Sequence, residues 1–276
     1  MKIQEIKIIL NNQPSEEFLQ ELAIDQRSGV QKLLQGYYKK LAATEAEKQR
    51  FQDMLRYEKQ EYLEGAKYVA GVDEAGRGPL AGPLVVAAVI LPQEVFISGL
   101  NDSKQLSAKK RELLYTEILN KAVDISVNIV SVSNIDDLNI YRATQEGMCQ
   151  VLQYLQIKPQ TALIDAMPLE IENMKCLSVV HGDALSASIA AASIIAKVTR
   201  DRIMERLADY YPQYGFAGNK GYGSKEHMQA LSVYGATRWH RRSFEPVKSM
   251  MLPAAEQTEN ILYSPLKDNY KYEPEG

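Results

Sequence analysis

The chain has 276 residues, of which 45% are hydrophobic and 24% are charged, a composition that excludes a disordered protein. A total of 32 Lys and Arg residues against 35 Asp and Glu residues leaves a net charge of −3, which excludes a histone-like protein held on DNA by bulk charge. Neither cysteine fits a zinc-binding spacing, and the longest apolar run, residues 84–91, is too short for a membrane helix. These features predict a cytoplasmic protein with no membrane segment.

Residues 1–66 have the pattern of a helical N-terminal extension. Ser15 is a predicted helix cap, because two acidic residues follow it at the positive end of the helix dipole. Thr44 opens a capping-box pattern that predicts a second, strongly charged helix to about residue 63. The apolar stripe of that helix is narrow, so we expect the extension to lie outside the main core, with Gly65 as a hinge.

From residue 68 onward, the hydrophobic pattern indicates short strands mixed with helices. Strands are predicted at residues 68–72, 84–91, 124–132, 161–165 and 177–180, and helices at residues 135–155 and 184–210. This order predicts an α/β fold with a central mixed β-sheet flanked by helices, in a domain that covers residues 67–250. The proline-containing residues 251–276 are predicted to be a loosely ordered tail.

Four carboxylates stand near the ends of these predicted strands. Asp73 and Glu74 follow the first strand, Asp165 ends a later one, and Asp183 lies between a strand and a helix. Taken alone, Asp183 is also typical of a helix N-cap. Because ligands bind outside strand ends in such sheets, we expect all four side chains to converge.

Converging carboxylates require cations. Two ionised carboxylates about 4 Å apart repel each other by about 4 kcal/mol at an effective dielectric constant of about 20. Oxygen ligands without cysteine or clustered histidine favour Mg²⁺ or Mn²⁺ over zinc. A pair of such ions is typical of enzymes that displace a group at a phosphodiester, so the sequence predicts phosphoryl-transfer chemistry.

The glycine segment after the first acids, residues 76–81, formally fits a dinucleotide-binding pattern. That pattern requires a helix to begin at the glycines, whereas Pro79 leads here into a predicted strand. We therefore expect no nucleotide or other small-molecule cofactor.

Blocks of sequence between residues 68 and 247 resemble ribonuclease HII, the type 2 ribonuclease H, of the bacterial kind. They occur in the family's order at residues 71–83, 102–106, 164–165, 182–183, 188–201, 220–224 and 240–244. The segment EAGRG at residues 74–78 favours ribonuclease HII over the sister type HIII.

The resemblance implies a ribonuclease H-like fold and an endonuclease that hydrolyses RNA in RNA–DNA hybrids. It also implies nicking on the 5′ side of single ribonucleotides embedded in duplex DNA. By motif match, the expected catalytic metal ligands are Asp73, Glu74, Asp165 and Asp183. The expected substrate-binding residues are Gly76, Arg77 and Gly78 at the 2′-hydroxyl and adjacent phosphate, Lys104 at a phosphate, and Tyr222 at the ribose–deoxyribose junction. Two Mg²⁺ or Mn²⁺ ions would leave 3′-hydroxyl and 5′-phosphate ends.

Three departures from the family pattern and two alternative functions remain. Ala166 stands where many relatives have glycine, Ser224 where threonine is frequent, and His181 where a lysine is expected. Residues 1–66 lie outside the matched blocks, and a contact with substrate or with a protein partner is open for them. A resolvase-like nuclease of the same fold is one alternative, since a fold does not determine a substrate. The other is a non-catalytic protein that binds RNA–DNA hybrids.

Overall fold

The structure is a computed structural model that describes residues 1–12 and 14–251, so the predicted tail falls almost entirely outside the described residues. The chain forms two compact units, the first from Met1 to Asp53 and the second from Met54 onward. Within the described ranges, no helix is both long enough and apolar enough to cross a membrane.

The N-terminal unit is helical, as predicted. Its helices are α1 (Ile3–Asn11), α2 (Glu16–Ile24) and α3 (Ser28–Met54), the last of which ends at the first residue of the second unit. The hydroxyl of Ser15 accepts a hydrogen bond from the Phe18 N–H at 3.2 Å, which confirms the predicted cap of α2. The small apolar core of this unit consists of Ile6, Leu10, Leu22, Val30 and Leu34.

The predicted helix start at Thr44 is wrong. Helix α3 passes through this position without a break, and the Thr44 hydroxyl donates a hydrogen bond to the Lys40 carbonyl one turn earlier, at 2.9 Å. A threonine hydroxyl that is satisfied inside a helix in this way does not cap a new one.

The second unit contains the remaining elements. Its helices are α4 (Arg56–Leu63), α5 (Ala108–Lys121), α6 (Val132–Leu138), α7 (Ile140–Tyr154), α8 (Gly182–Leu185), α9 (Ala187–Tyr210), α10 (Phe216–Asn219), α11 (Lys225–Tyr234) and α12 (Val247–Met250). Its strands are β1 (Val69–Ala75), β2 (Leu84–Ile90), β3 (Asp124–Val130), β4 (Thr161–Asp165) and β5 (Lys175–Val179). Each of the two predicted helices is divided, at Asn139 and at Ser186, where the backbone leaves the helical conformation.

The five strands form one mixed sheet, as the sequence predicted, and their order in the structure is β3-β2-β1-β4-β5. Strand β1 is antiparallel to β2 and parallel to β4. Every residue of β2 is buried, because α7 and α9 pack against the sheet. At Gly71 a Cβ atom would overlap the backbone of Ser188, so this glycine permits the close approach of α9 to β1. The sheet therefore holds β1 and β4 side by side in the centre of the unit.

Helix α4 is bonded to the unit that contains the sheet. The buried carboxylate of Glu58 accepts a hydrogen bond from the Ser186 hydroxyl at 2.6 Å, and that of Glu61 accepts one from the Thr161 hydroxyl at 2.9 Å. The predicted extension, residues 1–66, thus includes a helix that the structure groups with the second unit.

Candidate active site

Asp73 and Glu74 lie inside β1 and not in a turn after it. The strand continues to Ala75 because Glu74 still pairs with Val86 of β2, and Ala75 pairs with Val85. Neighbouring residues of a strand point to opposite faces of the sheet. The two acids, although adjacent in sequence, therefore leave the strand in opposite directions.

Three of the four predicted ligands meet at one end of the central strands. Asp165 ends β4, which runs parallel to β1, and Asp183 lies within α8 and not at its N-cap. Asp73, Asp165 and Asp183 each contribute a carboxylate oxygen, and these atoms all lie within 4.8 Å of one another. The structure thus brings together three acids that are far apart in the sequence.

Two residues with left-handed backbone shape the segments that carry these acids. Ala166, immediately after Asp165, has a φ of 47°, and His181, before α8, has a φ of 56°. The N–H of Gly182 donates to Oδ1 of Asp165 at 2.7 Å. This hydrogen bond ties the start of α8 to the end of β4, so Asp183 is held beside Asp165.

Glu74 lies outside the group of three carboxylates. Its Oε1 is 3.6 Å from Nη1 of Arg77, and its Oε2 is buried without a hydrogen-bond partner among the described residues. Burial raises the pKa of Glu74 to about 7; Arg77 opposes this rise, and the charge of Asp165 adds to it. The role of Glu74 as a fourth ligand stays a prediction.

The surroundings of Asp73 and Asp183 favour the protonated forms of these two carboxylates. Burial raises the pKa of Asp73 well above its usual range, and the charges of Glu74 and Asp165 raise it further. Burial and the charge of Asp165 also raise the pKa of Asp183, against the opposing effect of Lys104, whose Nζ lies 3.3 Å from Oδ2 of Asp183. One lysine does not neutralise this much negative charge.

These observations fit a divalent cation. The converging donors are carboxylate oxygens, which hard cations such as Mg²⁺ and Mn²⁺ prefer. Oε2 of Glu74 is buried without a hydrogen-bond partner among the described residues, and the charge of Asp165 acts on this carboxylate. In the described part of the chain, this is the one group of three such side chains positioned to hold a metal ion.

The predicted substrate-binding residues lie on the loops beside the acids. Gly76, which follows β1, has a φ of 99°, a conformation that glycine adopts without strain. A Cβ atom on Gly78 would lie 3.7 Å from Cε1 of Tyr222, so the tyrosine ring is next to this glycine. Tyr222 is 49% exposed, which leaves its ring accessible. The glycine segment and Tyr222 therefore form one accessible surface.

His227 and His240 form a buried pair next to the Tyr222 loop, and the sequence did not predict that the two rings contact each other. The Thr237 N–H donates to Nδ1 of His240 at 3.0 Å, so Nε2 of His240 carries the proton that it shares with Nε2 of His227, 2.9 Å away. Nδ1 of His227 then donates to the Tyr222 carbonyl at 2.9 Å. Burial lowers the pKa of His240 to about 3 and also lowers that of His227. The pair is neutral at physiological pH and positions the Tyr222 loop.

Two buried arginines behind the glycine segment were also missed. The guanidinium of Arg241 donates hydrogen bonds to the carbonyls of Gly76, Arg77 and Gly82, and that of Arg200 donates to the carbonyls of Ala81, Pro83 and Lys220. The 240–244 and 188–201 blocks included both arginines. The sequence does not predict these contacts, because the acceptors are backbone carbonyls, which every type of residue has.

Family models and curated relatives give one family. The family model described as Ribonuclease HII matches residues 70–247, and that of the Ribonuclease HII N-terminal domain matches residues 2–62. A Ribonuclease HII of Geobacillus sp. (strain WCH70) is 49% identical over 251 residues, 90% of each chain. One of Ligilactobacillus salivarius (strain UCC118) is 50% identical over 252 residues, 91% of this chain and 98% of the relative.

Solved structures agree with the sequence comparison. The ribonuclease H2 of Pyrococcus horikoshii OT3 superposes with a TM-score of 0.59 at 31% identity, over 66% of this chain and 96% of the other. The RNase HII of Archaeoglobus fulgidus, solved in complex with PCNA, superposes with a TM-score of 0.55 at 28% identity, over 68% and 99% of the two chains. In sequence and in fold, the chain belongs to the ribonuclease HII family.

Proposed function

We propose that this ribonuclease, which cleaves RNA in RNA–DNA hybrids as its family does, also nicks duplex DNA on the 5′ side of a single embedded ribonucleotide. The observation that carries the proposal is the meeting of Asp73, Asp165 and Asp183 beside an accessible loop surface. In this proposal these three residues, with Glu74, hold two Mg²⁺ or Mn²⁺ ions. Such ions would supply activation of the attacking water and stabilisation of the leaving 3′ oxygen, which gives 3′-hydroxyl and 5′-phosphate ends.

The chain's own residues would orient the strand. Backbone groups of Gly76, Arg77 and Gly78 bind the 2′-hydroxyl and the adjacent phosphate, and the Tyr222 ring packs on the sugar at the ribose–deoxyribose junction. A site built to hydrogen-bond a hydroxyl can reject the analogue that lacks it by about 10⁴-fold, because its polar groups would otherwise remain unpaired. Lys104 is 75% exposed in its side chain while its Nζ reaches Asp183, so it can also contact a phosphate at the site.

A cleavage assay with mapped product ends tests this function. The substrates are a duplex with one ribonucleotide, an RNA–DNA hybrid, an all-DNA duplex and a branched DNA, each with Mg²⁺ or Mn²⁺ and with chelator. We expect cleavage of the first two only, with 3′-hydroxyl and 5′-phosphate ends, and none with chelator. Cleavage of the branched DNA instead would identify a resolvase-like enzyme. Binding of the hybrid without any metal-dependent cleavage would identify a non-catalytic protein.

The junction role of Tyr222 has its own test within this assay. Tyr222→Ala should lose more activity on the single-ribonucleotide duplex than on the long hybrid, since only the former presents the junction at every productive position. The matched control is Tyr154→Ala, because Tyr154 is also exposed, at 68%, and lies at the end of α7. Equal losses on the two substrates would remove the junction role.

The N-terminal unit is proposed to contact either the duplex or a protein partner. Its separate core supports an independent surface of this kind. A chain that begins at Met54 should bind the single-ribonucleotide duplex more weakly than the full chain if the contact is with substrate. Unchanged duplex affinity would leave a protein partner as the remaining proposal.

A further inference from the structure

The loop that follows β1 rests on the side chain of Arg241. This side chain is completely buried, and among the described residues its guanidinium forms no ion pair. Its position is set by its own backbone, whose N–H donates to the Leu80 carbonyl at 2.8 Å, and by the Phe244 ring, 5.0 Å from the guanidinium carbon. A buried cation bonded to neutral carbonyls alone has an unusual environment, which points to a specific role for those carbonyls.

The guanidinium binds two consecutive carbonyls of the glycine segment. Nη2 donates to the Gly76 carbonyl at 2.6 Å, and Nη1 donates to the Arg77 carbonyl at 2.9 Å. Nε and Nη2 also donate to the Gly82 carbonyl, at 3.1 and 2.9 Å, and so hold the far end of the same loop. Because the guanidinium is planar and rigid, the two carbonyl groups are fixed relative to each other.

This arrangement determines where the next two N–H groups point. In a trans peptide the carbonyl and the N–H of the following residue point in opposite directions. The N–H groups of Arg77 and Gly78 therefore face away from Arg241, and neither donates a hydrogen bond to another described residue. Arg77 and Gly78 are both exposed, and Gly78 lies beside the Tyr222 ring, so a bound strand can reach these donors.

We propose that Arg241 is the positioning residue for ribose recognition: by holding the carbonyls of Gly76 and Arg77, it presents the N–H groups of Arg77 and Gly78 to the 2′-hydroxyl and the adjacent phosphate. The inference rests on the proposed function, because it assumes that this loop meets the ribonucleotide. A lysine at this position cannot reproduce the role, since a single ammonium does not hold two carbonyls in a fixed plane.

The test is the ribonucleotide preference in binding, measured in the presence of chelator so that cleavage does not interfere. The dissociation constant of a duplex with one ribonucleotide is compared with that of the same duplex in DNA only. Arg241→Lys should lower this preference by at least about tenfold, since a misplacement of about 1 Å at such contacts is costly. Circular dichroism first establishes that the variant is folded, because an unfolded fraction would weaken the apparent binding of both duplexes equally.

Arg200→Lys is the matched control. Arg200 is as buried as Arg241 and also bonds three carbonyls, but those of Ala81, Pro83 and Lys220 and not those of Gly76 and Arg77. We expect Arg200→Lys to lower the stability of the protein and to keep the ribonucleotide preference within about twofold of the wild type. An equal loss of preference in both variants would overturn the specific role of Arg241, and so would an unchanged preference in Arg241→Lys.

Hydrogen exchange on the wild-type protein covers the case in which Arg241→Lys does not fold. The amides of Arg77 and Gly78 should exchange fast in the free protein and slow at least about tenfold with the ribonucleotide duplex, but not with the DNA duplex. Amides already protected in the free protein would overturn the inference. A wild-type protein without any ribonucleotide preference would instead contradict the proposed function.

Discussion

The side chain of Asp73 is buried, and its nearest charged neighbours are other carboxylates. Its pKa lies well above the usual range because burial disfavours the charge and because Glu74 and Asp165 repel it. The negative charge of Asp73 therefore destabilises the metal-free fold, and a bound cation would compensate for it. Such a conflict between local stability and charge is typical of functional sites.

Replacement of Asp73 by Asn should affect stability and activity in opposite directions. Asp73→Asn removes one of the repelling charges, so the metal-free protein should melt at a higher temperature at pH 8. Cleavage should fall by at least about 100-fold, because a lost ligand removes several kcal/mol of transition-state stabilisation. Asp209→Asn, at an exposed position of α9, is the control and should change neither quantity. Wild-type cleavage rates in Asp73→Asn would show that the metal site is misassigned.

The backbone of Ala166 is in a conformation that destabilises the fold, at a position where many relatives have glycine. Its φ of 47° lies in the left-handed region, which costs an L-residue with a side chain about 1–2 kcal/mol. Its side chain is exposed, so no packing is lost when it is removed.

Ala166→Gly should therefore raise the free energy of unfolding by about 1 kcal/mol. Chemical denaturation measures this change. Ala108→Gly, at an exposed helical position of α5, should have the opposite sign, because glycine is disfavoured there. Destabilisation by Ala166→Gly would mean that the left-handed backbone is not a cost at this position.

Among the secondary structure elements, α4 shows most clearly where the sequence was insufficient. Its polar, charged pattern indicated a surface helix of the extension. Yet Oε1 of Glu58 accepts hydrogen bonds from the Ser186 hydroxyl and from the Ser188 N–H, at 2.6 and 2.8 Å, at the start of α9. The residues around Glu58 do not predict this role, because the helix that Glu58 caps begins more than a hundred residues later in the chain.

Two truncated chains test the assignment of α4. A chain that begins at Met54 keeps α4 and should fold, whereas one that begins at Lys67 loses the bonds of Glu58 and Glu61. The shorter chain should be less stable by at least about 2 kcal/mol, because the Ser188 N–H and the Ser186 and Thr161 hydroxyls lose their acceptors. Denaturant titration compares the two. Equal stabilities would show that α4 adds nothing to the second unit.

The strands were predicted more reliably than the helix boundaries. The apolar runs that became β2 and β4 are locally encoded, since their hydrophobic patterns alone identify them. The extension of β1 through Asp73 and Glu74 was not predictable, because pairing with β2 overrides the preference of acidic residues for turns. The convergence of Asp165 with Asp73 followed from the parallel strands, whereas the contacts of Arg241 depend on backbone acceptors.

At the scale of the whole molecule, the site and the histidine pair give the metal-free protein a defined pH dependence. A carboxylate with a raised pKa, such as Glu74 at about 7, keeps its proton up to a higher pH in the folded state than in the unfolded state. Its contribution to stability is therefore lost as pH rises through about 7. His227 and His240 have lowered pKa values, so their contribution is lost as pH falls below about 6.5, the unfolded value.

The metal-free protein should consequently be most stable near pH 6.5 and lose roughly a few degrees of melting temperature between pH 6.5 and pH 8. Added Mg²⁺ or Mn²⁺ should reverse the loss at pH 8, because cation binding favours the ionised carboxylates. Glu74→Gln should flatten the alkaline side of the profile. Stability that rises steadily from pH 6.5 to pH 8 without metal would contradict the assigned charge repulsion.

The location of bound Mn²⁺ shows whether the three aspartates form a metal site. Anomalous diffraction from crystals of the protein soaked in Mn²⁺ shows where the ion binds. We expect a peak in contact with carboxylate oxygens of Asp73, Asp165 and Asp183, and the loss of that peak in Asp73→Asn. A Mn²⁺ peak elsewhere, with no density between these three carboxylates, would contradict this expectation.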